Sequence, residues 1–277
     1  MEVVETATAR IPKLGLGTWQ NTGEACTQTV QTALDAGYRH IDTAQHYENE
    51  RAVGRGLAQA DVDREEVFLT TKVWRSNLQY QDVIASVTDS LDRLQVEYVD
   101  LLLIHWPHPR VPIEETLDAM AELCDRGLVR QIGVSNFTLP QLQTAQETAA
   151  VPIVANQVLY HPYTDQSTLQ QYCARHDITL IAYSPLARGD VLSDAVLERI
   201  GERYDKRPAH VALRWLVQQD GVVAIPKAST PDHLHQNLDV FDFALTAEEM
   251  TRISARSGPL RVRLRKRLPA LMRHLPI

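Results

Sequence analysis

Four residues of this 277-residue chain have side chains that could work as a set: Asp42, Tyr47, Lys72 and His105. A tyrosine of pKa about 10 is a poor acid at neutral pH. A nearby ammonium lowers a phenol's pKa, and a carboxylate keeps that lysine charged and aimed. A histidine can hold a carbonyl oxygen or relay a proton. The chemistry this set suits is protonation of an alkoxide as a carbonyl accepts a hydride. Each residue alone has a plainer reading: Lys72 as a structural ion-pair partner, His105 as a hydrogen-bonded core histidine, Tyr47 as a loop aromatic. The set means something only if the fold brings it to one place.

The elements that must do so are short β-branched or apolar runs alternating with stretches of helical period. The candidate strands are Leu14–Trp19, Arg39–Thr43, Val67–Trp74, Val99–Trp106, Val129–Asn136, Ile153–Tyr160, Thr179–Leu186 and Gly221–Ala228. Val99–Ile104 is almost continuously apolar, as in a parallel sheet buried on both faces. Helices fit Glu24–Ala36, stopped at Gly37, and Asp82–Leu94, where Val83, Val87, Leu91 and Leu94 share a face. Glu114–Arg126 has Leu117, Met120, Ala121 and Cys124 similarly spaced. Further helices fit Gln141–Ala149, Thr168–His176, Asp194–Tyr204, Ala209–Gln219 and Ala247–Ser257. No linker divides the chain, so the pattern predicts an α/β fold, a single (β/α)8 TIM barrel with a short N-terminal extension. A doubly wound open sheet is the competing architecture. Against it, Gly15-Leu16-Gly17 has no third glycine to complete the dinucleotide fingerprint.

In such a barrel the C-terminal strand ends converge on one mouth, where active sites lie. Asp42, Lys72, His105, Ser135, Asn136, Gln157, Tyr183 and Lys227 all fall late in their strands. Tyr47, five residues after Asp42, can bend back over the mouth. Polar groups inside apolar runs are costly unless partnered, so their recurrence at one end argues for a site.

Composition narrows the alternatives. No run of about 18 apolar residues exists, so no membrane span is expected. The acidic N-terminus lacks an apolar signal core, which makes the cytoplasm the expected location. A net charge of −7 argues against broad nucleic-acid binding. Cys26, Cys124 and Cys173 form no CxxC pair and read as buried reduced thiols. Six Lys/Arg and no acid fall in Pro259–Ile277. This basic tail reads as a solvated segment against the acidic body, as cover over the pocket, or as a membrane or nucleic-acid contact.

The chain resembles the aldo-keto reductase family from about Ile11 to Phe243. The resemblance is carried by Gly15-Leu16-Gly17-Thr18-Trp19, Tyr38-Arg39-His40-Ile41-Asp42-Thr43-Ala44 with Tyr47, and Thr71-Lys72-Val73-Trp74. It continues through Asp100-Leu101-Leu102-Leu103-Ile104-His105-Trp106-Pro107, Ile132-Gly133-Val134-Ser135-Asn136-Phe137 and Ala155-Asn156-Gln157. The last stretches are Ala182-Tyr183-Ser184-Pro185-Leu186, Ala224-Ile225-Pro226-Lys227 and Asn237-Leu238-Asp239-Val240-Phe241. The short connections look like those of the small bacterial and archaeal reductases, whose relatives reduce aldehydes, methylglyoxal or keto-sugars.

The resemblance implies one barrel domain, barrel 11–257 and tail 258–277, binding NADP(H) without a Rossmann fold. The nicotinamide would stack on Tyr183, with Ser135, Asn136 and Gln157 on its carboxamide. Thr18, Trp19, Asp42, Ser184, Leu186, Lys227, Ser229, His233, Gln236 and Asn237 complete the implied cofactor set. Tyr47 is the implied acid, its pKa lowered by Lys72 paired with Asp42, and His105 orients the substrate. Trp19, Trp74 and Trp106 would join Tyr47 and His105 around a small carbonyl substrate. Ala228 replaces a common serine and His233 a common arginine at the 2′-phosphate, which leaves room for NAD(H). Gln236 stands where a glutamate is common. As plain residues, His233 and Gln236 are solvated helix positions. No metal is implied, and a monomer or weak dimer is expected. The other readings are a non-catalytic cofactor-binding relative, a Schiff-base aldolase on Lys72, and a metal-dependent hydrolase using Asp42, His105 and His108. The occupied tetrad, the carboxylate beside Lys72 and the lack of an HxH pair weigh against each in turn.

Overall fold

A computed structural model describes residues 2–228 and 230–257. The basic tail and Ser229 therefore lie outside the described residues. The chain opens with an antiparallel hairpin, β1 (Val3–Glu5) and β2 (Arg10–Pro12). Eight parallel strands follow in sequence order around one sheet: β3 (Leu16–Gly17), β4 (His40–Asp42), β5 (Phe68–Val73), β6 (Val99–Ile104), β7 (Val129–Ser135), β8 (Ile153–Leu159), β9 (Thr179–Tyr183) and β10 (Val222–Ile225). The first and last meet through a parallel bridge between Leu14 and Ala224, with Gly15 N–H donating to Ala224 O and Gly17 N–H to Pro226 O. The result is a (β/α)8 barrel. Gly17 sits on this seam because a Cβ there would lie 2.8 Å from the Ile225 carbonyl oxygen.

The helices are α1 (Gly23–Asp35), α2 (Glu50–Gln59), α3 (Tyr80–Leu94), α4 (Ile113–Asp125), α5 (Leu139–Thr148), α6 (Ser167–Arg175), α7 (Ala195–Gly201), α8 (Pro208–Val217), α9 (Pro231–Leu238) and α10 (Ala247–Ser254). The Val83, Val87, Leu91, Leu94 face of α3 is buried as its spacing requires. On α4 the buried stripe runs through Leu117, Met120 and Leu123, leaving Cys124 half-buried. Burial pushes the Cys26 and Cys124 thiols up to about 11 and Cys173 to about 12, which makes them inert at neutral pH.

Two apolar layers result. One lies between strands and helices. The other fills the cylinder, where Leu101, Leu103, Val154, Ile181 and Val223 meet Val4, Ala9 and Ile11 of the hairpin, which closes the N-terminal end. The strands stop earlier than their apolar runs suggest. Asn136 and Ser184 take left-handed backbone angles (φ 62° and 49°), ending β7 and β9 and turning the chain over the opposite mouth.

Candidate active site

Lys72 is the deepest member of the site. It stands on β5 with no exposed surface, and its Nζ donates to Asp42 Oδ1 (2.5 Å), Thr43 O (2.8 Å) and Tyr47 Oη (3.3 Å). Three donors meet three acceptors, so the charge is fully partnered. Burial works to lower the Lys72 pKa, but Asp42 and Tyr47 outweigh it and hold the ammonium above its ordinary value. Asp42 closes β4, and its second oxygen accepts from Gln157 Nε2 at 2.7 Å across the barrel. Both carboxylate oxygens are thereby engaged.

Tyr47 ends a single 3-10 turn, Gln45–Tyr47, that folds back over the mouth from β4. Burial is the largest influence on its phenol and raises the pKa; Lys72 pulls it down and Asp42 pushes it up, leaving it above the ordinary value. This corrects the expectation of an unusually acidic phenol. Lys72 does act in the expected direction, but taking the hydroxyl out of water acts more strongly.

His105 follows β6 edge-on to Tyr47, ring centroids 5.6 Å apart. Burial, then Lys72, then His46 depress its pKa to about 3, so the imidazole is neutral at neutral pH. Asp42, Tyr47, Lys72 and His105 are thus gathered at one mouth from three separate chain segments, the ends of β4, β5 and β6.

Above them opens a cavity of about 340 Å³. Trp19, Trp74 and Trp106 wall it, with Trp19 and Trp106 each more than two-fifths exposed. Ser135, Asn136, Gln157 and Tyr183 form one bank. There Tyr183 Oη donates to Asn136 Oδ1 (2.9 Å), Asn136 Nδ2 to His105 O and Ser135 Oγ (both 3.0 Å), and Ser135 Oγ to Gln157 O (2.8 Å). Ser184 and the exposed Lys227 also line the cavity, and Lys227 Nζ donates to Gln20 O at 3.3 Å.

Other residues of the implied cofactor set stand away from this lining. Thr18 is buried beneath it, its Oγ1 donating to Asp42 O at 3.0 Å. Leu186 is half-buried in the loop after β9. His233 is exposed on α9, its N–H donating to the Thr230 cap. Gln236 accepts from Arg207 at 3.2 Å, and Asn237 is buried beside the Tyr38 hydroxyl. Two ionisable lining residues, His46 and Arg188, fall outside the expected site. His46 adjoins Tyr47, and its type alone was the available signal. Arg188 sits in an irregular loop with φ 55°, which no periodicity could place.

Eight closed strands with a polar cavity at their C-terminal rim define a (β/α)8-barrel protein with an enzyme-like mouth. The model of the Aldo/keto reductase family matches residues 13–257. An aldo-keto reductase of Mycolicibacterium smegmatis is 44% identical over 247 residues, covering 88% of this chain and 89% of its own. A glyoxal reductase of Bacillus subtilis is 41% identical, with 91% of each chain covered. The solved aldose reductase of Schistosoma japonicum superposes with a TM-score of 0.89 at 33% identity, covering 93% of this chain and 92% of its own. The chain belongs to the aldo/keto reductase family.

Proposed function

We propose that the protein reduces aldehydes or ketones to alcohols with NADP(H), and that Tyr47 is the general acid. The observation that carries this reading is the Tyr47 hydroxyl 3.3 Å from a fully buried Lys72 ammonium, itself locked to Asp42, on the floor of the cavity.

The residues of the mouth suit a nicotinamide nucleotide. Ser135, Asn136 and Gln157 present a hydroxyl and two primary amides beside the flat Tyr183 ring, and Gln157 Oε1 has no partner among the described residues. Lys227 supplies an exposed ammonium at the rim. These residues would hold the nicotinamide end. Thr18, Trp19, Ser184, Leu186, Ser229, His233, Gln236 and Asn237 would serve the rest of the cofactor with Lys227. When bound, the cofactor supplies the hydride.

The chain's own residues supply the proton. Because the phenol sits above its ordinary pKa, Tyr47 is protonated at any working pH, as a donor must be. An alkoxide forming on the substrate is a far stronger base than a phenolate, so it takes the Tyr47 proton. The phenolate left behind lies against the Lys72 ammonium, in a setting where little water screens the pair. Lys72 therefore contributes after the proton moves more than before. Neutral His105 serves as a hydrogen-bond donor that positions the carbonyl oxygen; it is not a second acid. The three tryptophans keep the pocket compact and exclude water. Lys72 is unsuited to Schiff-base chemistry, since that requires a neutral amine.

Loss of NADPH absorbance with simple aldehydes tests the assignment. Tyr47→Phe is expected to lower kcat by about 10²–10⁴-fold, and near-normal turnover would remove Tyr47 as the acid. The same assay with NADH reads the cofactor preference. With His233 in place of an arginine, a modest preference for NADPH is expected, and His233→Arg should strengthen it. An unchanged preference in His233→Arg would count against a role for this position.

A further inference from the structure

His46 takes no part in the proposed proton transfer, yet it lines the reaction cavity. Its ring lies flat on the Trp74 indole, centroids 3.7 Å apart and planes 4° from parallel. The backbone that carries the indole is itself anchored: Gln45 Oε1 accepts from the Trp74 backbone N–H at 2.8 Å and from Asn77 Nδ2 at 3.2 Å. The stack sets the plane of the imidazole. It is exposed, and neither of its nitrogens makes a hydrogen bond among the described residues. Its centroid stands 6.3 Å from that of His105. A small substrate whose carbonyl oxygen reaches His105 therefore lies within a few bonds of the His46 ring.

The charges around the cavity indicate what that group is. Asp42 is the only acid in the lining, and both of its oxygens are taken, by Lys72 and Gln157. The remaining ionisable nitrogen groups of the lining are His46, His105, Arg188 and Lys227. Of these, His105 stays neutral. Arg188 is exposed, its guanidinium 5.7 Å from the centroid of the Trp19 ring at the rim. An imidazole edge beside a cationic rim, with no uncompensated carboxylate among the described lining residues, favours an anionic oxygen over a neutral substituent.

We propose that His46 is a specificity-determining residue that receives a carboxylate carried next to the reacting carbonyl, so that the preferred substrates are oxo-acids. This inference rests on the reductase reading of the same site, and the experiment separates the two.

Wild type, His46→Leu and His46→Gln are compared by kcat/KM on glyoxylate, methylglyoxal and propanal. The three aldehydes carry a neighbouring carboxylate, a neighbouring neutral carbonyl and neither. In parallel, benzoate and benzamide binding is followed by quenching of tryptophan fluorescence. Losing a charge-assisted hydrogen bond is expected to lower the glyoxylate-to-propanal ratio about tenfold or more in His46→Leu. The methylglyoxal-to-propanal ratio should fall less, and His46→Gln, which keeps an N–H donor in a different geometry, should fall between. The wild-type preference for benzoate over benzamide should shrink in step. If both the ratio and the benzoate preference are unchanged in His46→Leu, the inference is overturned while the reductase reading stands. If wild type reduces none of the aldehydes, the reductase reading fails, and the oxo-acid assignment with it. Binding would then report only whether His46 holds a carboxylate.

Discussion

Two histidines, His105 at the mouth and His40 at the start of β4 beside Phe68, are buried in the neutral state, and that makes acid stability a property of individual residues. Burial holds His40 at about 4 and His105 at about 3, both below the ordinary value. On unfolding they regain a pKa near 6.5. Between the folded and unfolded values the unfolded chain binds more protons, so stability is complete above about pH 6.5 and falls as pH drops toward 3–4. At pH 5 the loss is on the order of 2 kcal/mol per histidine. Urea unfolding at pH 7 and pH 5 checks this: His40→Asn should narrow the gap between the two midpoints. Asp194 and Glu249, held below their ordinary carboxylate range, add to the loss only at lower pH. The types and order of Asp42, Tyr47, Lys72 and His105 were readable in the sequence because each falls at or just beyond the end of an apolar run. What could not be read was burial. It reverses the expected shift of Tyr47, settles His105 as neutral, and sends Gln157 across the barrel to Asp42. His46 and Arg188 escaped because loop side chains carry no periodicity.

Elements were legible in proportion to their apolar pattern. The pattern predicts α3, which shows one clear face, but not α2. The α2 helix carries Gly54 and Gly56 in ten residues, which weakens any propensity argument. Those glycines have a packing reason. A Cβ on Gly54 would lie 2.3 Å from the Leu94 carbonyl oxygen at the end of α3, and one on Gly56 would lie 2.7 Å from Thr27 O of α1. The two helices can close on α2 only where it has no side chains. Glu50 at the start of α2 then accepts from Thr71 on β5 and pairs with Arg93 on α3. Gly54→Val should cost about 1–3 kcal/mol or more by overpacking, read as a lower urea midpoint. An unchanged midpoint would mean that α2 and α3 can separate freely. The expected strands overrun the observed ones for a related reason: the residues that make the site must leave the sheet to reach over it.

At the scale of the molecule, alternation alone pointed to a closed barrel, and the seam through Leu14 and Ala224 closes it. What blocks the other end is not legible in the sequence. The hairpin was only a short extension until the structure placed Ile11, with no exposed surface, against Leu101 and Val223. Ile11→Ala should therefore cost about 2–5 kcal/mol while leaving kcat near wild type, measured by denaturation and turnover on the same preparation. A parallel fall in kcat would mean that the hairpin shapes the far rim as well as the core.

That stopper has a consequence for traffic. A vessel with one doorway admits its guests in file, and whichever entered first and lies deepest has to wait for the later arrival to go. On the proposed reading, product would clear the threshold before the larger partner is exchanged, an order of release that product-inhibition patterns would reveal.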